Sequence, residues 1–195
     1  MKTFSLILTF ALCSAAFVSA KDEPKKPDLF ESGLRQVMDD YRKGDNAAVT
    51  EKLRILLKMM EEKGAEKVGE TLPEEIEGWM GEALKREDLT VVGGGISISR
   101  TYVSDNKEIR AKVIKDSPMV KQLIPLIANE DLLKLTNRKT YRISSETAVM
   151  EGERKLQLVA DGRILVELVG NEETEEKDLV ALIRKLDLNA LAKMK

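Results

Sequence analysis

LQLVADGRILVELV, residues 156–169, is the strongest hairpin signal in the chain. Asp161-Gly162 suits a two-residue type I′ turn, in which both central residues take positive φ. Such a turn sets Val159 opposite Ile164, Leu158 opposite Leu165 and Gln157 opposite Val166. Apolar side chains then lie on both faces of the strand pair, and a pair apolar on both sides needs cover on both. A helix expected from Thr174 supplies one cover. Glu175 and Glu176 sit in its electropositive first turn, and Leu179, Leu182, Ile183 and Leu186 form its apolar stripe. The other face is left to the N-terminal helices or to a second subunit.

Upstream, Ile96, Ile98 and Tyr102 alternate with Ser97, Ser99 and Thr101. A turn at Ser104 to Lys107 makes Glu108 to Lys115 the partner strand. Ile98 then faces Val113, Tyr102 faces Ile109, Ser99 faces Lys112 and Thr101 faces Arg110. One face is apolar and the other polar, the pattern of a hairpin with one buried side. Ser117 caps a short helix that has Pro118 in its first position and is interrupted by Pro125, and Asn129 caps a second turn through Leu135. Lys139 to Ile143 and Thr147 to Glu151 are expected as short strands. Met80 to Leu89 is a further strand, after the Leu72-Pro73 and Gly78-Trp79 punctuation.

Nearer the start, Leu34, Val37, Met38 and Tyr41 recur at helical spacing between an N-cap at Asp28 and a stop at Gly44. Asp45 and Asn46 cap a second helix, marked by Val49, Leu53, Leu56, Leu57 and Met60 and running to Gly64. The two form an antiparallel αα-hairpin, assigned to residues 28–70, ahead of an α+β unit at 71–195. A lone pair of short helices is marginal, and Phe30, Ile55, Leu57 and Met59 lie off the narrowest seam. The hairpin is therefore expected either to dock on the open face of the 156–169 strands or to keep a site for a partner.

Residues 1–20, MKTFSLILTFALCSAAFVSA, combine a basic Lys2, an apolar run from Phe4 to Val18 and small residues at Ser19 and Ala20. They read as a cleavable secretory signal, followed by a charged linker at 21–27. Cleavage after Ala20 leaves 195 − 20 = 175 residues. Because Cys13 is the only cysteine, those residues hold no disulfide and no thiolate. Leu12 stands where lipoprotein processing needs a small residue, which argues against an anchor at Cys13. No later apolar run reaches the ~18 residues of a spanning helix. The expectation is a periplasmic or secreted protein without a transmembrane segment in its mature chain.

The whole chain holds 32 basic and 34 acidic residues, a formal net charge of −2, which excludes a general polyanion binder and argues against nucleic acid as a partner. Absence of histidine removes His-based triads and His-ligated metals, and no serine has a readable base. Gly93-Gly94-Gly95 has the composition of a phosphate-cradling nest, but a strand-like alternation follows where a helix N-terminus is needed, so the loop reads as architecture. Arg100 interrupts the apolar face of its strand opposite Ala111. It is either an anion anchor beneath a pocket or, the favoured reading, a structural ion pair with a carboxylate such as Asp116. Trp79, the sole tryptophan, is a ligand-stacking residue or, again favoured, the plug of one core edge. The run from Glu172 to Glu176 lacks the spaced ligands of a calcium loop and reads as a solvated helix start. Trp79, Arg100, Gly93, Gly94 and Gly95 are thus weak binding candidates. No catalytic residue, metal ligand or cofactor is assigned.

Gly44-Asp45, Leu72-Pro73, Gly78-Trp79, Gly93-Gly94-Gly95, Ser99-Arg100-Thr101-Tyr102 and Asp116-Ser117-Pro118-Met119 together resemble an uncharacterised family of secreted bacterial proteins, with a helical hairpin ahead of an α+β domain. The resemblance covers nearly all of the mature chain and implies no reaction. The αα-hairpin also looks like one tetratricopeptide-type unit, and the remainder looks like the PsbP-like fold. The expected class is α+β: an N-terminal αα-hairpin, then a mainly antiparallel β-sheet with flanking helices, a PsbP-like sandwich. The expected function is a non-catalytic binding or accessory role, exercised through a protein partner in the cell envelope. The alternative is a carrier of a small apolar or amphipathic ligand, held between the sheet and the helix from Pro118 to Ile124.

Overall fold

A computed structural model of the protein describes residues 28–127, 129–136 and 138–194. The expected signal at 1–20 and linker at 21–27 lie outside the described residues. Helix α1, Leu29–Lys43, begins where the Asp28 carboxylate accepts the Phe30 N–H, and ends at Gly44 in the left-handed conformation. The Asp45 side chain accepts the Ala48 N–H at the start of α2, Asn46–Glu70. Helix α2 does not stop at Gly64. A Cβ there would lie 2.5 Å from Ile96 Cδ1, so this glycine sits mid-helix to let a strand residue approach.

The sheet runs β1 (Glu75–Ile76), β2 (Trp79–Gly81), β3 (Lys85–Glu87), β4 (Ile96–Ser104), β5 (Lys107–Lys115), β6 (Thr140–Ile143), β7 (Glu146–Glu151), β8 (Lys155–Ala160) and β9 (Ile164–Gly170). Its spatial order is β1-β2-β4-β5-β9-β8-β7-β6, with β3 also on β4, and every pairing is antiparallel. The strand expected over Met80 to Leu89 is thus two short ones, both on the β4 edge. Helices α3 (Pro118–Ile127) and α4 (Glu130–Leu135) carry the chain from β5 to the far edge at β6. Helices α5 (Glu176–Lys185) and α6 (Leu188–Lys193) follow β9. Helix α3 continues two residues past Pro125, and that extra length brings Ile127 into the core.

The β4–β5 register is the expected one, including Ile98 with Val113 and Tyr102 with Ile109. The β8–β9 register differs by one residue. Asp161 and Gly162 do take positive φ (50° and 60°), yet the ladder closes at Ala160–Ile164, with Val159 opposite Leu165 and Leu158 opposite Val166. Arg163 is the extra residue. Its Nε donates to Asp161 at 2.7 Å, one Nη to Asp116 at 3.2 Å, and the other to the Ala192 carbonyl at 3.3 Å and to the Met194 carbonyl. Tertiary partners draw this residue out of the strand, and a one-residue slip exchanges which side chains share a face.

That exchange sorts the apolar residues into two layers. On one face Leu158, Ala160, Ile164, Val166 and Leu168 pack under Leu179, Leu182 and Ile183 of α5 and Leu191 of α6. Ala65 and Val68, from the C-terminal half of α2, close the same layer over Ile96, Ile98 and Tyr102. On the other face Val149, Val159 and Leu165 pack against Val120, Ile127 and Leu133 of α3 and α4. The second face of the 156–169 strands is therefore covered by α3 and α4, not by the N-terminal helices. Helix α5 begins two residues after Thr174, which is buried instead, with its Oγ1 donating to the Glu108 carbonyl at 2.9 Å. Ser97 and Ser99 are buried too, so the polar side of the β4–β5 hairpin is covered at that end, while Arg110 further along it stays exposed. Leu89, in the loop after β3, folds into the second layer and brings that loop over it.

Candidate functional site

Three places combine exposure or cavity space with chemistry that the fold does not use up. The first is a cavity of about 610 Å³ between α2 and the loop from β3 to β4. Lys58, Glu61, Arg86, Asp88, Ser97 and the three glycines 93–95 line it. The glycines take φ of 97°, 86° and 109°, so the backbone bends as a nest does. The nest is filled from within the chain: Glu61 Oε1 accepts the Gly95 N–H at 3.0 Å. A Cβ on Gly95 would sit 2.9 Å from the Lys115 carbonyl oxygen, so this glycine also permits the crossing of two backbone segments. Beside the cavity, Glu87 bonds Lys112 and, at 3.1 Å, Arg110. The Lys112 ammonium holds the Glu87 carboxyl below the usual carboxylate range.

A second cavity, of about 440 Å³, lies between the sheet and helices α3 and α4. Its roof is apolar, built from Met119, Leu123, Leu126 and Leu132, and its floor is polar, with Lys112, Gln157 and Glu167. The polar groups hold one another. Gln157 Nε2 donates to Glu167 at 2.8 Å, and Lys155 bridges Glu151 at 3.0 Å and Glu167 at 3.1 Å. Sequence periodicity marked the apolar residues of α3 but not this floor, because its members come from three strands whose neighbours only the sheet order sets.

The third place is the free side of the helical hairpin. Packing of α1 on α2 buries only Val37 and Leu56 from the expected stripes. Gly33 lets α2 come close, since a Cβ there would meet Leu56 Cδ2 at 2.6 Å. Leu34, Met38, Tyr41, Leu53, Leu57 and Met60 remain 42–66% exposed, with Leu57 at the boundary where this side meets the first cavity.

The residues singled out in the sequence do not converge. Trp79 is half-buried and packs against the main core beside its partner Ile76. Arg100 is 6% exposed, opposite Ala111 as expected, but the ion pair with Asp116 is not made. Asp116 instead bonds Lys115 and Arg163, and Arg100 Nε is buried without a hydrogen-bond partner among the described residues. The reason is position: Arg100 lies at the middle of β4 and Asp116 one residue beyond the end of β5. Gly81 covers the Arg100 stem, with room for no Cβ. Neighbouring Tyr102 donates its hydroxyl to the Pro73 carbonyl at 3.0 Å, and burial pushes its phenol up to about 12. In the acidic run, Glu175 and Asp178 form a capping box, while Glu176 bonds Lys139 and Tyr141. Among the described residues no cluster of three or more carboxylates could hold a metal ion, and no helix is long and apolar enough to cross a membrane.

Scans against models of known families, curated proteins and solved structures each return no significant match.

Proposed function

We propose that this is an exported, non-catalytic binding or accessory protein of the cell envelope that acts through protein contacts on the free side of its helical hairpin. The observation that carries the reading is the band of six large apolar side chains, each about half exposed, on α1 and α2. Contiguous apolar surface of this kind on a folded domain marks an interaction site. Export rests on the signal read in residues 1–20, and the non-catalytic character rests on a chain without histidine or a readable nucleophile and base. In the same reading the sheet with helices on both faces is a PsbP-like sandwich, a likeness drawn at the level of the fold.

A photoreactive residue in place of Leu57 tests this. Cross-links to protein are expected from position 57 and not from Val169, an exposed apolar control on the sheet. Equal yields from both positions, or none from either, defeat the proposal. A second reading, a carrier of an amphipathic ligand, is favoured by the cavity between an apolar helical roof and a polar sheet floor. Native mass spectrometry of freshly purified protein tests it: a bound lipid-sized mass supports the carrier, and consistently bare protein removes it.

A further inference from the structure

Apart from Leu29 at the start of α1 and Ile55 on another side of α2, each of the exposed large apolar residues on the hairpin directly follows a residue on the inner side of the helix pair. Leu34 follows Gly33, Met38 follows Val37, Tyr41 follows Asp40, Leu53 follows Lys52, Leu57 follows Leu56, and Met60 follows Met59. The inner residues meet across the pair: Gly33 packs on Leu56, and Lys52 bonds Asp40. In two antiparallel right-handed helices, a step of one residue (about 100°) from the seam turns both helices' side chains to the same side of the pair. The six residues therefore form one face rather than two separate stripes. The helix pair is closely packed behind that face, because glycine stands where α1 crosses α2.

Charge narrows what covers it. Helix α1 carries Glu31, Asp39 and Asp40 against Arg35, Arg42 and Lys43, and α2 carries five acidic and five basic residues, so each helix is formally neutral. Several of these charges are already paired along their own helix, Arg35 with Glu31, Arg42 with Asp39 and Arg54 with Glu51. An anionic bilayer has no basic excess here to attract it. A strongly charged peptide has no opposite field to follow. Two copies of the face meet without net repulsion.

Area is consistent with the same occupant. With exposures of 42–66%, the six side chains offer on the order of 600 Å² per chain, so two faces bury about 1,200 Å², the lower edge of stable specific interfaces. Stacking two antiparallel helix pairs gives a four-helix bundle, whose usual packing places such residues in its core.

We infer that the partner of this face is a second copy of the chain, joined through a two-fold four-helix bundle of α1 and α2. The inference rests on the reading of the face as a protein-contact surface. Sedimentation velocity on the purified protein, from about 1 µM to several hundred µM, spans the range in which an interface of this size dissociates. A monomer–dimer equilibrium is expected. Met38→Glu and Leu57→Glu each weaken it at least tenfold, whereas Ile55→Glu, about 200° round α2 from both Leu53 and Leu57, leaves it unchanged. Far-UV circular dichroism matching that of the parent protein shows that the variants fold. A monomer at every concentration overturns the inference, as does a dimer indifferent to Met38→Glu and Leu57→Glu. If the protein is monomeric and position 57 cross-links to a different protein, the contact surface stands and only its partner changes. If position 57 cross-links to nothing, the contact surface falls too.

Discussion

Arg163→Ala separates a turn that shapes itself from one held by the rest of the molecule. The wild-type side chain is 26% exposed and reaches four acceptors from three parts of the chain: Asp161 in its own turn, Asp116 after β5, and the carbonyls of Ala192 and Met194 at the end of α6. Both carboxylates are about half exposed, so their ion pairs are worth about 0.5 kcal/mol each. The two charge-assisted bonds to carbonyls lie in a less exposed place and are worth about 1 kcal/mol each after desolvation. Removal should cost about 2–3 kcal/mol, which for a chain of this size lowers the melting temperature by about 5–10 °C. Urea denaturation followed through Trp79 fluorescence measures it. Arg163→Lys keeps a charge but not the planar fork, and is expected to recover less than half of the loss. Limited proteolysis of Arg163→Ala should cut first in α6. A loss below about 0.5 kcal/mol, the level of an ordinary surface substitution, refutes the reasoning.

Further outcomes follow from the same geometry. Gly95→Ala combines a φ of 109° with a Cβ 2.9 Å from the Lys115 carbonyl and should destabilise by about 3 kcal/mol, whereas Gly44→Ala, at φ 77° with nothing within 4 Å, should cost only about 1 kcal/mol; equal losses in chemical denaturation would show that the crossing is not tight. A chain beginning at Asp45 loses α1 but keeps the cap of α2 and should melt within a few degrees of the parent, while one beginning at Glu70 loses Ala65 and Val68 from the main core and should unfold or aggregate. An equally stable chain from Glu70 would contradict the packing described. Glu87, Asp116 and Asp178 all have carboxyls held below their ordinary values: Glu87 by Lys112, and the other two because contacts with Lys115 and Arg163, or with Lys107, outweigh the opposing effect of burial. A depressed folded pKa stabilises fully above the unfolded value of about 4 and is lost as pH falls through the folded value, so stability should be flat from pH 7 to 5 and decline below about 4. Stability that rises on acidification to pH 3 would reverse that sign.

Local chemistry was sufficient for much of the fold. Asp28, Gly44 and Asp45 mark where helices begin and end because caps satisfy backbone groups within a few residues. Alternation in Ile96 to Lys115 sets a register that the structure keeps, because the side chains of a hairpin meet their partners across a short turn. Leu179, Leu182, Ile183 and Leu186 declare a buried stripe whatever lies beneath it. Other features depend on residues far apart in sequence. Arg163 leaves the β8–β9 ladder for acceptors 29 and 31 residues away, and no turn preference contains them. Gly64 looks like a helix stop until Ile96 is found packed on it. Arg100 invited an ion pair with Asp116, whose partners are instead Lys115 at the end of β5 and Arg163 in the turn between β8 and β9. The composite features, an apolar face shared by two helices and a cavity floored by three strands, emerge only when separate elements are brought side by side. Periodicity within one element shows which side chains are apolar. The tertiary structure alone decides which of them find a neighbour, because burial depends on what the rest of the chain places opposite.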